Sequence, residues 1–213
     1  MSITLQEIYK GYEEENLDYL SDVMSNWFLD KIREYSEEDI NSLKRQILRD
    51  EKQNRFLKGR FFYFQYFPTE RGNSYYESFD RSPLILYLGK KEKIIHGMNI
   101  HYLPTYRKIF FINKLFRYLG GDYDAESSSN KIFLTYDMMK QRDSFVEERV
   151  IYRKYYINRI RNIKIVPMKH IKLFSLLGNT SNFLYSEKSI QNTTLLNLRE
   201  QRNKKSKSRE RKI

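Results

Sequence analysis

Histidines and paired carboxylates are the residue types in this chain from which a metal site or a hydrolytic centre could be built. His96 and His101 stand five apart across Gly97, and His170 is remote from both. A helical zinc site needs two histidines one turn apart on one face, as in HExxH, and that spacing is absent. In a strand, positions 96 and 101 point to opposite faces, so the two rings read as core or surface histidines rather than joint ligands. Asp122 with Asp124 and Glu147 with Glu148 are acidic pairs of the kind that hold Mg²⁺ in nucleases. The first pair sits in a polar loop, the second on a basic segment, and neither has a lysine in a nuclease-like arrangement. The phosphate-loop pattern GxxxxGKS/T, the dinucleotide pattern GxGxxG and the hydrolase elbow GxSxG are all missing. The residues therefore predict no catalytic group, no metal ligand, no cofactor and no enzyme.

The elements that would position any site are plainer than the site. Residues 84–104, LILYLGKKEKIIHGMNIHYLP, are two apolar runs around a lysine-rich turn and read as a β-hairpin. Gly97 interrupts its second strand, where a missing Cβ marks a bulge or a close backbone approach, and Pro104 ends it. Gly97, Asn99, His101, Tyr102, Leu103 and Pro104 accordingly read as a scaffold motif. Residues 60–67, RFFYFQYF, predict a strand covered on one or both faces, and a long polar loop containing Gly72-Asn73 follows. Exposed rings of that strand could seat nucleic-acid bases, although β-propensity of this strength belongs more often to a core.

Residues 1–58 read as helical. Leu17, Leu20, Met24, Trp27 and Phe28 form one stripe, and Ser36 caps a helix over 37–53 with Glu37, Glu38 and Asp39 in its first turn. Thr105 is placed to cap a helix reaching Leu119, with Ile109, Ile112, Leu115 and Phe116 inward and Gly120-Gly121 as its stop. Helical spacing returns in pieces over 133–160, with Arg149, Arg153, Lys154 and Arg159 lining an exposed face. Residues 161–166 alternate as a strand, Pro167 opens a turn through His170, and 171–177 reads as a last strand.

Charge divides the 213 residues unevenly. Residues 1–52 carry a net −6, residues 53–198 a net +12 and residues 199–213 a net +6. A positive field attracts phosphate backbones, anionic membranes or acidic proteins without choosing among them. Candidate contacts to DNA or an acidic partner are Arg149, Arg153, Lys154, Arg159 and Arg161 in the body. In the tail they are Arg199, Arg202, Lys204, Lys205, Lys207, Arg209, Arg211 and Lys212. That tail is too poor in apolar residues to fold alone. The absence of cysteine excludes disulfides and fits a reducing cytoplasm. No run approaches the roughly 18 apolar residues of a membrane span, and the start is polar, so a non-exported protein is expected. The 18 tyrosines and 14 phenylalanines suit interfaces and cores alike.

Over residues 61–177 the order of features resembles a family of virion proteins of T4-like and related contractile-tailed bacteriophages. The stretches that carry the likeness are FYFQYFP, YYESFDRSPLILYL, GMNIHYLP and YRKYYINRIRNIKIVPMKHIKLFSLL. The family shows an F-Y-x-Y-x-P start, then FPLV, then G-x-N-x-HYLP, and finally a basic strand followed by a tryptophan. Here that tryptophan is missing, and a position near His170 stands in its place. The resemblance implies a place in a phage particle assembled in the host cytoplasm, in several copies and among other virion proteins. Members are labelled virion structural proteins, some of them DNA-end protectors.

The expected fold is α+β: a small barrel-like β domain with inserted helices over 59–177, an acidic helical arm over 1–58, and an extended polar and basic tail over 178–213. Two functions remain open. The first is a non-enzymatic structural component of the tail, baseplate or head–tail region, joined to its neighbours through the terminal extensions. The alternative is a DNA-binding protein that caps or protects genome ends.

Overall fold

The computed structural model describes residues 3–15, 22–48, 56–57, 59–67, 80–118 and 151–177. Leu17, Leu20, the acidic pairs, Arg149, Gly120-Gly121 and the whole tail lie outside these residues. Three helices open the chain: α1 (Leu5–Glu14), α2 (Asp22–Arg33) and α3 (Glu37–Ile47). Reciprocal capping boxes start two of them, Thr4 with Glu7 for α1 and Ser36 with Asp39 for α3. Strands β1 (Phe61–Tyr66), β2 (Leu84–Lys91) and β3 (Ile94–Asn99) follow. After them come a 3-10 turn (Ile100–Tyr102) and α4 (Thr105–Tyr118). The described chain closes with β4 (Tyr152–Tyr156), a 3-10 turn (Ile157–Arg159), β5 (Ile160–Val166) and, beyond a further 3-10 turn (Met168–His170), α5 (Ile171–Leu176).

The strands form one antiparallel sheet in the order β4-β3-β2-β1-β5. The fold is α+β as expected, but the sheet is not a closed barrel, because among the described residues β4 and β5 share no ladder. It is nevertheless strongly curled. The two edges of a flat five-strand sheet lie roughly 19 Å apart at the usual strand spacing. Yet only three residues separate the end of β4 from the start of β5, a link that spans at most about 14 Å. Rings from non-adjacent strands meet as a result: Tyr155 on β4 lies 5.3 Å from Phe64 and 5.1 Å from Tyr66 on β1, both edge-on. The backbone N–H of Tyr156 donates to the Tyr66 hydroxyl at 3.2 Å.

Curling explains why both faces of β1 are buried. Phe62, Phe64 and Tyr66 join Ile85, Tyr87, Ile95, Tyr155, Ile160 and Ile165 in a cluster that the sheet encloses by bending on itself. Phe61 faces the other way, into a second cluster with Leu84, Leu86, Met98 and Val166, capped by Met24, Phe28, Leu43, Ile47, Ile112, Phe116 and Phe174 from the helices. Ile8 of α1 belongs to the same cluster, and the Tyr9 hydroxyl reaches His170 Nδ1 at 2.7 Å. Phe61, Phe62, Phe64 and Tyr66 are buried and so are closed to base stacking, whereas Phe67, at the end of the stretch 60–67, is exposed.

Several expectations are corrected. Residues 152–156 are a strand, not part of an exposed helix, because YRKYY pairs residue for residue with β3, Tyr155 opposite Ile95 and Arg153 opposite Gly97. Residues 171–176 are helical, not a strand; Ile171, Leu173, Phe174 and Leu177 are all buried against the helix-covered core. The first α4 bonds are accepted by the Pro104 carbonyl, from Arg107 N at 2.8 Å and Lys108 N at 2.9 Å, so α4 begins at Thr105 rather than being capped by it. The hairpin's bulge lies on β2 between Tyr87 and Gly89, where two residues of β2 oppose one step of β3. Gly97 meets the other condition, close approach: a Cβ there would lie 2.8 Å from Ile85 Cδ1 and 3.1 Å from the Leu86 carbonyl oxygen.

Candidate nucleic-acid interface

The scaffold motif folds into a buried polar cluster. Asn99 donates from Nδ2 to Asp80 Oδ2 at 2.9 Å and to the Tyr155 hydroxyl at 3.1 Å, while its Oδ1 accepts the His101 backbone N–H at 3.0 Å. His101 Nδ1 lies 2.8 Å from the same Asp80 oxygen, and the pair is 4% and 1% exposed. Asp80 Oδ1 accepts from Ser82 N at 2.9 Å, a turn made by an aspartate bonding its own chain two residues on. Burial raises the Tyr155 phenol well above its ordinary pKa, and raises Tyr102 too, against the opposing charge of Arg153. Removing one partner from such a buried network leaves a polar atom without its hydrogen bond, a loss of about 1–3 kcal/mol. The cluster therefore pins the end of β3 to β4 and to the chain entering β2. Sequence reasoning found Asn99 and His101 but missed Asp80 and Tyr155; the Asp-x-Ser-Pro turn over residues 80–83 was the available signal.

The surface at the other end of β3 is different in kind. Curling brings the β2–β3 turn, the end of β4, the 3-10 turn Ile157–Arg159 and the exit of β1 to one place. Ile157 N donates to the Lys93 carbonyl at 2.9 Å, and Phe67 N donates to the Arg159 carbonyl at 3.1 Å. Two large rings stand in solvent there, Tyr156 at 52% exposure and Phe67 at 59%. The Arg159 guanidinium lies 6.0 Å from the centre of the Tyr156 ring. Lys91 and Lys93 are exposed on the turn, and Lys154 is exposed on β4. His96 is hydrogen-bonded to the Tyr152 hydroxyl. Partial burial, reinforced by the charges of Lys154 and Lys91, holds the pKa of His96 below its ordinary value.

The candidate contacts therefore separate. Lys154 and Arg159 lie on this patch. Arg161 stands at the start of β5, its guanidinium donating to the carbonyls of Asn158 at 3.1 Å and Ile160 at 3.0 Å. Arg153 is turned away, stacked 4.0 Å over the Tyr102 ring with its Nη1 on the Tyr152 carbonyl at 2.8 Å. Arg149, Arg199, Arg202, Lys204, Lys205, Lys207, Arg209, Arg211 and Lys212 lie outside the described residues. Tyr156, Lys91 and Lys93 were not among the candidates, and Phe67 was considered only as part of the aromatic stretch 60–67. Only the curl assembles them, and it cannot be read from local pattern. Among the described residues no three His, Asp or Glu side chains are grouped as a metal site, and no helix is long and apolar enough to cross a membrane.

No curated protein and no solved structure gives a significant match to the chain. A protein family does. Its description is "Phage T4 terminal DNA protecting protein", and it matches residues 23–175, which run from α2 through the whole sheet to α5. That span is well over half of the chain and agrees with the resemblance carried by GMNIHYLP and its neighbours. The chain belongs to the phage T4 terminal DNA protecting protein family.

Proposed function

We propose that the protein binds the ends of linear phage DNA and shields them from exonucleases. The observation that carries this reading is the family match across residues 23–175, whose description names DNA termini as what is protected. The second of the two functions read from the sequence is thus favoured over a purely structural part in tail or baseplate. The cationic patch of Lys91, Lys93, Lys154 and Arg159 supports it, since phosphate neutralisation supplies most of the affinity of a DNA-binding protein. The eight Lys and Arg of residues 199–213 would add sequence-independent contacts, making binding strongly salt-dependent. Protection needs occupancy of the terminus, not chemistry, so no catalytic residue is required. We place the protein in the virion, among other virion proteins, where a packaged genome presents its ends.

The test is a digestion assay. Linear duplex is incubated with the full-length protein and then with a double-strand exonuclease, while a closed circle of the same sequence is exposed to an endonuclease. The expected result is survival of the linear DNA with unchanged cutting of the circle. Equal protection of both would mean coating along the duplex, and no protection of either would leave the structural role in tail or baseplate as the better reading.

A further inference from the structure

From the convergence of Phe67, Tyr156 and Arg159, we infer that this patch is a stacking platform for the terminal base of the DNA. The inference rests on the end-binding reading above and says which atoms recognise an end as an end.

A DNA end differs from the interior of a duplex in one respect that a protein can read without knowing the sequence. Its last base pair exposes a π-face to water. Lysines alone cannot distinguish that feature, because phosphates run the full length of the helix. An exposed ring can, since base–aromatic stacking is tolerant of sequence but requires a free face. Tyr156 and Phe67 are two of the six large hydrophobic side chains left exposed among the described residues. Phe67 N donates to Arg159 of the 3-10 turn that Tyr156 directly precedes, and Tyr156 N donates to the hydroxyl of Tyr66, the residue before Phe67.

The surroundings favour a nucleic-acid occupant over an apolar one. Arg159 lies against the Tyr156 ring, and Lys93 is bonded through its carbonyl to the residue after it. Lys91 and Lys154 lie close enough to lower the His96 pKa by their charge. Glu92 is the acid on this turn. The rings thus sit inside a cationic frame, the pairing that single-stranded and frayed nucleic acids select. Tyr106 and Phe110 form the other exposed aromatic pair, on α4, with Arg107 and Lys114 over their rings. They make a ready comparison, because the curl of the sheet does not bring them to the 3-10 turn.

The experiment compares full-length wild type with Tyr156→Ala, Phe67→Ala and the comparison variant Tyr106→Ala. Probes are a duplex with open ends and the same duplex with both ends closed by hairpin loops, followed by fluorescence anisotropy. A 2-aminopurine at the last position of the open duplex reports stacking directly. Wild type is expected to prefer the open duplex and to quench the 2-aminopurine. Tyr156→Ala and Phe67→Ala should each lose about five- to a hundredfold affinity for the open duplex, lose the quenching, and keep wild-type affinity for the closed one. Tyr106→Ala should behave as wild type.

If wild type shows no preference for open ends, the end-binding reading fails and the platform falls with it. A preference that survives in both Tyr156→Ala and Phe67→Ala, with quenching intact, overturns the platform alone. Thermal melting of each variant separates loss of a contact from loss of the fold, and the exposure of both rings predicts unchanged midpoints.

Discussion

Gly97 has its neighbours where a methyl group would have to go. Its place between Tyr87 and Arg153 in the ladder leaves 2.8 Å to Ile85 Cδ1, a contact that real Cβ atoms do not make. The constraint is steric, so Gly97→Ala should cost about 1–3 kcal/mol, the range for overpacking a tight core, and Gly97→Val more. Denaturant titration measures it, and an unchanged midpoint for both variants would contradict the packing described. His96 makes a prediction about pH. Its folded pKa lies below the unfolded value of 6.5, so its contribution to stability is complete above that value. It is lost as the pH falls from there through the lowered folded pKa, because the unfolded chain takes up the proton first. Wild type should therefore lose more stability than His96→Gln between neutral pH and pH about 5, compared by denaturant midpoints. At this scale Gly97 to Pro104 stood out in the sequence because glycine and proline restrict the chain by themselves, and the residues named in it are buried. Its partners Asp80 and Tyr155 did not, because they come from segments distant in sequence and meet it only in the folded core.

At the level of elements, the hairpin was legible because its apolar alternation and its polar turn agree. The turn carries a local conflict: Glu92 adopts φ 55°, a left-handed conformation that side chains with a Cβ disfavour. Glu92→Gly should stabilise the protein by about 0.5–1 kcal/mol, the gain from relieving that conformation less the extra entropy of glycine. A lower denaturant midpoint would show that Glu92 makes a contact worth more than its strain. Asn162 holds the same region at φ 52° on β5, where the register with β1 shifts and its Nδ2 donates to Gln65 Oε1 at 2.7 Å. Elements with mixed signals were misread. YRKYYINRI has apolar residues at spacings that fit a helix, yet the β3 edge pairs with its first half and outweighs that pattern. IKLFSLL alternates too little to be a half-buried strand, and a short apolar run cannot be told from a buried helix by period alone.

For the whole molecule, the deciding feature is the curl, which turns an open five-strand sheet into an enclosed aromatic core and gathers rings and cations from four segments on one surface. Composition foretold the basic character and the aromatic richness but not their meeting, since that depends on the three-residue link between β4 and β5. On the proposed function this surface serves DNA ends, not duplex in general. The most direct measurement is the number of protein molecules bound per linear duplex as duplex length is increased, read by analytical ultracentrifugation at saturating protein and moderate salt. End recognition predicts a fixed number per molecule, set by its two termini and independent of length, with none of that binding on a closed circle. A number that grows in proportion to length would contradict the account.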